Sequence, residues 1–151
     1  MPSVKRVNDE QKELFLAKIK EALWIIKGKD IGVLGLSFKP NTDDLRNSPA
    51  MGLIELLQEE GARIKVYDPQ AMYKARKVFP GLKFCKDPYS VAAGSDCLII
   101  ATGWEEFKKL NLVKIKKLLK RPLIIDGRNI YDPLKMVKLG LSYISIGRKG
   151  V

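Results

Sequence analysis

Apolar positions follow two different spacings along this chain. Between residues 8 and 27, Phe15, Ile19, Ala22, Leu23 and Ile26 recur at helical intervals and make one stripe. Asn8 stands where a helix cap belongs, and Gln11 completes a capping box. Asp9 and Glu10 suit the positive end of the helix dipole, and Gly28 is placed to close the helix. From Asp30 the pattern changes to short apolar runs at 31–36, 63–67, 82–84, 97–101, 123–125 and 142–146, which predict six strands. Helical segments separate them. Ser48 and Pro49 open one whose stripe is Leu53, Ile54, Leu56 and Leu57, ending at Gly61. Others run to about residue 78, over 88–94, from a Thr102/Glu105 capping box, over 112–120, and from Asp132-Pro133 to about 139.

Strands that alternate with helices imply a parallel sheet covered on both faces, and the near-continuous apolar character of the runs fits that burial. The predicted fold is α/β: a Rossmann-like, doubly wound parallel sheet of about six strands in the order 3-2-1-4-5-6, with an N-terminal helix in front. Ligands of such sheets sit outside the carboxyl ends of the strands, near the switch point. That restricts the candidates to the loop after Leu36, Asp68, the segment Thr102-Gly103-Trp104 and the turn Asp126-Gly127-Arg128.

Composition narrows the chemistry. With 151 residues and 46% hydrophobic content, the chain is sized for one domain with a sizeable core. Two cysteines and no histidine cannot assemble the usual cysteine or histidine ligand set of a zinc site, and without histidine there is no Ser/His/Asp set. Cys97 lies within an apolar run and reads as a small core residue. No apolar run approaches the roughly 20 residues that span a bilayer, and residues 1–10 lack a signal-peptide core, so the expectation is a cytoplasmic protein without a membrane partner. The formal charge of +11 suits either nucleic acid or small phosphorylated ligands. The densest basic stretch, 108–121, has leucines at helical spacing and reads as a solvated helix face; no aromatic cluster accompanies it, so no nucleic-acid partner is expected. The Lys- and Ile-rich, histidine-free composition hints at a thermophilic source.

The loop after the first strand carries the richest chemistry. Instead of a tight G-x-G-x-x-G turn, the chain has Gly32-x-x-Gly35 followed by a long charged loop, residues 37–49. Lys39 and Arg46 could hold phosphates by charge, Arg46 with a two-pronged grip, and Phe38 could stack on a base or sugar ring. Equally, Lys39 and Arg46 could be surface charges paired with Asp43 and Asp44. Asp68 sits where a Rossmann domain contacts ribose, or else caps a helix. Trp104 lines a pocket or belongs to the core.

These segments resemble a known family. The run from Val33 to Pro49, with Phe38-Lys39-Pro40 and Leu45-Arg46-Asn47-Ser48-Pro49 inside it, is similar to the opening of the C-terminal domain of the UDP-glucose/GDP-mannose dehydrogenase family. Val66-Tyr67-Asp68-Pro69, Lys86-Asp87-Pro88-Tyr89, Thr102-Gly103-Trp104-Glu105-Glu106-Phe107, Asp126-Gly127-Arg128-Asn129 and Ile146-Gly147-Arg148 follow in the family's order. Val7-Asn8 and the helix behind them resemble the end of the family's central helix. The resemblance implies residues 1–28 as the end of that interdomain helix and 29–151 as the nucleotide-sugar domain.

The resemblance also implies roles. Phe38, Lys39 and Arg128 would contact the nucleotide sugar, and Arg46 would reach NAD bound mainly by an N-terminal domain. The family oxidises the C6 hydroxyl of a nucleotide sugar to a carboxylate, reducing two NAD, and dimerises mainly through the central helix. The Pro40-Asn41-Thr42-Asp43-Asp44 run looks more like that of UDP-glucose enzymes than of GDP-mannose or UDP-N-acetylmannosamine enzymes. The family's nucleophilic cysteine motif and NAD fingerprint are not in this sequence, so no catalytic residue is assigned, and the chain alone is expected to be inactive. Its partners would be UDP-glucose or a related nucleotide sugar, the N-terminal and central domains, and a second copy in a homodimer. The alternatives are a free-standing, regulatory nucleotide-binding module and, further off, a nucleic-acid-binding protein.

Overall fold

A computed structural model describes residues 2–146, with side chains from residue 12 onward. In chain order the elements are α1 (Pro2–Leu23), β1 (Asp30–Leu34), α2 (Pro49–Glu59), β2 (Arg63–Tyr67), α3 (Met72–Val78), β3 (Lys83–Phe84), α4 (Pro88–Ala92), β4 (Cys97–Ile100), α5 (Glu105–Lys108), α6 (Leu112–Leu118), β5 (Leu123–Asp126), α7 (Pro133–Lys138) and β6 (Ser142–Ser145). The six strands form one parallel sheet in the order β3-β2-β1-β4-β5-β6, as the alternation of strands and helices implied. The order reverses between β1 and β4, which pair with Ile31 opposite Cys97.

Strand side chains alternate between two cores. Ile31, Val33, Cys97, Ile99 and Ile125 join α1, α2 and α3 on one face. Leu34, Leu98, Ile100 and Ile124 join α4, α5, α6 and α7 on the other. Both faces are thus apolar, which is why the strands read as unbroken runs. The second half of α1 is part of this core, with Phe15, Ile19 and Leu23 buried beside α2. Gly52 of α2 lies close under Lys12, where a Cβ would stand 2.5 Å from the lysine Cδ. No described helix is long and apolar enough to cross a membrane.

Several helix ends differ from expectation. α1 begins at Pro2, so Asn8 lies inside it rather than capping it; no residue between them breaks a helix, and proline is tolerated in the first turn. It ends at Leu23, where Trp24 turns left-handed (φ 66°), not at Gly28. Gly28 instead bridges to the end of α2, its amide donating to the Gly61 carbonyl at 2.9 Å. Gly61 does follow α2, with φ 92°. The basic stretch behaves as read: Leu112 and Ile115 are buried while Lys114, Lys116 and Lys117 face solvent.

At the amino end of the sheet, Asp30 accepts bonds from Arg63 Nε at 2.7 Å and Lys120 Nζ at 3.0 Å. The Arg63 guanidinium first, then Lys120, hold its carboxyl at about 2, against a raising effect of burial. The folded-state pKa lies below the unfolded value, so the resulting stability is present above about pH 4 and fades as pH falls toward 2. Asp30→Asn is expected to lower unfolding stability by about 1–2 kcal/mol at neutral pH, and by a few tenths at pH 2. Urea unfolding at the two pH values measures the difference.

Candidate functional site

The loop after β1 is built by a reversal and a buried carboxylate. Gly35 has φ 97° and donates its amide to Tyr67 O at 2.8 Å, which turns the chain off the end of β1. Asp68, 1% exposed, accepts the Leu36 amide at 2.8 Å and the Ser37 amide at 3.3 Å on Oδ2. Its Oδ1 accepts the Gln70 and Ala71 amides ahead of α3, at 2.9 and 2.8 Å. Asp68 is therefore a cap that also anchors the loop. The amides that a dinucleotide turn would offer to pyrophosphate are spent on this carboxylate and on Tyr67.

Two hydroxyls that look like helix caps belong to the same loop. Ser48 Oγ donates to Leu36 O at 2.5 Å and makes no bond to an α2 amide. Thr102 Oγ1 donates to Ser37 O at 2.8 Å, and α5 starts after Trp104 without a side-chain cap. Both misreadings have one cause: a buried carbonyl distant in sequence competes for the hydroxyl, and a local capping motif gives no sign of it.

Phe38 and Lys39 emerge at the rim, both exposed. Ser37 Oγ donates to Lys39 O at 2.8 Å, and the Phe38 amide donates to Asp44 O at 3.2 Å, closing the loop. Asn41 and Asn47 supply left-handed turns within it. Asp43 ties the loop to α3 through Tyr73 Oη and through Lys74 Nζ at 3.2 Å. Asp44 holds Arg46 in a fork, Oδ1 to Nε and Oδ2 to an Nη, both at 3.0 Å. The Arg46 side chain holds the Asp44 carboxyl at about 2. With 88% of its side chain exposed, Arg46 points away from the body of the domain.

On the other side of the switch point, Asp126 ends β5 fully buried. Its Oδ1 accepts the Arg128 amide at 2.8 Å; its Oδ2 accepts the Ile130 amide at 2.8 Å and Tyr143 Oη at 2.5 Å. The turn this creates aims Arg128 back across the rim. Arg128 Nε donates to Ala101 O at 3.1 Å, and one Nη donates to Phe38 O at 2.7 Å. Desolvation lowers the Arg128 pKa and Asp126 opposes the shift; an arginine stays cationic throughout. A cleft of about 20 Å³, room for roughly one water, lies beside it between Phe15, Ala101 and Gly127.

Arg128 and Phe38 are therefore joined at one rim by a direct hydrogen bond, and Lys39 follows Phe38 there, exposed. Arg46, on the same loop, is in the pairing with Asp44 that the charge pattern allowed. Trp104 is 6% exposed and packs in the core with Phe107 and Tyr131, so it does not line the cleft. Cys85 and Cys97 are free and buried; burial pushes the Cys97 thiol up to about 12 and raises that of Cys85, which disfavours the thiolate at both. No cluster of metal ligands occurs among the described residues. Gly147 and Arg148 of the last matched motif lie outside them. Sequence reasoning placed Asp126 in the candidate turn without giving its carboxylate a role, and it missed Tyr143; the one signal was a carboxylate closing the otherwise apolar run Leu123-Ile124-Ile125.

Residues 32–133 match the sequence pattern of the UDP-glucose/GDP-mannose dehydrogenase family, UDP binding domain. The chain belongs to this family. It is 47% identical over 143 residues to a UDP-glucose 6-dehydrogenase of Rhizobium meliloti, covering 94% of this chain and 33% of that protein. A UDP-glucose 6-dehydrogenase of Bacillus subtilis is 41% identical over 150 residues, covering 99% of this chain and 32% of the relative. The chain thus spans about a third of the length of these relatives and matches their C-terminal part. Among solved structures it is similar to a UDP-glucose dehydrogenase from the hyperthermophilic archaeon Pyrobaculum islandicum, with a TM-score of 0.76 and 34% identity, over 93% of this chain and 30% of that one.

Proposed function

We propose that this chain is the UDP-sugar-binding part of an NAD-dependent UDP-glucose 6-dehydrogenase. In this reading Phe38, Lys39 and Arg128 hold the UDP-sugar, and the chemistry is completed by N-terminal and central domains. The observation that carries it is the bond from the Arg128 guanidinium to Phe38 O, which brings two family motifs 90 residues apart to one rim. An aromatic ring and two cations there suit a base or sugar ring linked to a diphosphate. Arg46, forked by Asp44 and exposed, is the group that reaches toward NAD held by the other domain. This loop leaves no amide cradle for a second dinucleotide. The parent protein then oxidises UDP-glucose to UDP-glucuronate with two NAD, as a cytoplasmic homodimer built through the helix that α1 terminates. It supplies an acidic sugar nucleotide for polysaccharide synthesis, and the composition favours a thermophilic source.

Calorimetric titration with UDP, UDP-glucose, GDP-mannose and NAD tests the reading. UDP and UDP-glucose should bind at least about tenfold more tightly than GDP-mannose or NAD, a difference of about 1.4 kcal/mol. The purified chain should reduce no NAD when given UDP-glucose, because neither the cysteine nor the dinucleotide fingerprint is in its sequence. Equal affinity for all four ligands, or turnover, would contradict the assignment.

A further inference from the structure

We propose that Asp126 and Tyr143 are positioning residues that set the direction of the Arg128 guanidinium, so that edge strand β6 governs how tightly the site holds UDP. The inference rests on the reading of Arg128 as a UDP-sugar contact. Asp126 has no solvent exposure and receives three hydrogen bonds, two from backbone amides of its own turn and one from the Tyr143 hydroxyl. An ionised carboxylate only accepts, so it satisfies all three donors, whereas an asparagine would turn an NH₂ group toward one of them. Burying that charge is costly, and the three donors offset the cost.

A turn cap would need only the two amides. The third bond comes from β6, where the Tyr143 hydroxyl gives its one proton to Asp126 and lies 3.3 Å from Tyr131 O. A second tie from β6 reaches the same turn, between Ser145 Oγ and Asn129 Oδ1. Asn129 is left-handed at φ 56°, a turn conformation that asparagine tolerates. From this anchored turn the Arg128 side chain crosses to Ala101 after β4 and to Phe38 after β1. One chain of bonds therefore runs from β6 to β1 across the carboxyl end of the sheet. It spends the Nε proton and one Nη proton of Arg128 and leaves three N–H groups in a fixed orientation for ligand oxygens. Fixing a cationic fork before the ligand arrives removes an ordering cost from binding.

Tyr143→Phe is the decisive variant, because it deletes one hydroxyl and leaves Asp126 both amide donors. Tyr67→Phe is the control; among the described residues its hydroxyl bonds to Glu106, at 2.9 and 3.0 Å, and not to the Arg128 turn. The readouts are UDP affinity by calorimetry, thermal unfolding, and the Arg128 Nε–H resonance in ¹H–¹⁵N spectra. Tyr143→Phe should unfold within a few degrees of the parent, shift the Nε–H resonance and speed its exchange with water, and weaken UDP binding by about tenfold. Tyr67→Phe should leave the resonance and the affinity unchanged. Asp126→Asn should lower the affinity at least as far as Tyr143→Phe. The proposal is overturned by a Tyr143→Phe chain whose Nε–H resonance is unmoved or whose affinity stays within about twofold, by a folded Asp126→Asn chain that binds like the parent, or by a Tyr67→Phe chain that moves the resonance equally. Failure of the parent chain to bind UDP removes the functional reading instead, and the Nε–H resonance still decides whether β6 positions Arg128.

Discussion

Deleting residues 1–27 is expected to leave a chain that no longer unfolds cooperatively. The reason lies in the topology. α2 and α3 cross back over β1, β2 and β3 on one face, while α4 to α7 all lie on the other. No crossover helix covers the first face over β4 and β5, yet Cys97, Ile99, Leu123 and Ile125 point into it and are buried. The cover is α1 and the segment after it, through Phe15, Ile19, Leu23 and Ile26. Burying four such side chains contributes roughly 6–12 kcal/mol, an upper estimate because an unfolded chain already hides some apolar surface. That is comparable to the whole stability of an ordinary domain, about 5–15 kcal/mol. Urea unfolding followed by near-ultraviolet circular dichroism should show a broad, early or absent transition, and the truncated chain should bind a hydrophobic dye. A cooperative transition within about 2 kcal/mol of the parent would show that α1 is dispensable. The milder Ile19→Ala should cost about 2–5 kcal/mol.

Gly35→Ala should be the most damaging single substitution at the site. At φ 97° a Cβ is strained, a cost of about 1–3 kcal/mol. It would also stand 2.5 Å from Thr102 Cβ and 2.6 Å from the Thr102 backbone nitrogen, and backbone gives way poorly. Overpacking of this kind adds about 1–3 kcal/mol, so a total loss of roughly 2–6 kcal/mol is expected. The strain falls where Thr102 grips Ser37, one residue before Phe38. UDP affinity should therefore fall even in conditions where the variant remains folded. Urea unfolding gives the stability change and calorimetry the affinity; a loss under about 1 kcal/mol would mean that the two loops separate without cost.

Local patterns carried the fold because its strands are buried on both faces. Cys97-Leu98-Ile99-Ile100 and Leu123-Ile124-Ile125 have no polar member, and their alternation with helical stripes leaves few topologies. Boundaries were less legible. Nothing in the sequence separates Pro2 from Asn8, so a capping box inside a longer helix looked like its start. The strand-end rule picked out Phe38, Lys39 and Arg128, and in the structure they follow the ends of β1 and β5. What holds the rim together was not legible. Asp68 to Leu36, Thr102 to Ser37 and Arg128 to Phe38 are bonds between residues 32, 65 and 90 positions apart, and spacing within one segment says nothing about them. Asp68 read as a ribose contact or a helix cap and Asp126 as the start of a turn; their burial and their bonds distinguish them as anchors.

In the proposed site, Lys39 and Arg128 act on one diphosphate. The most direct test is a calorimetric comparison of UDP with uridine, on the parent chain and on the Lys39→Ala/Arg128→Ala double variant. The parent should bind UDP at least about tenfold more tightly than uridine, and the double variant should bind the two alike. A parent chain that prefers neither ligand, or a double variant that keeps the preference, would contradict the account.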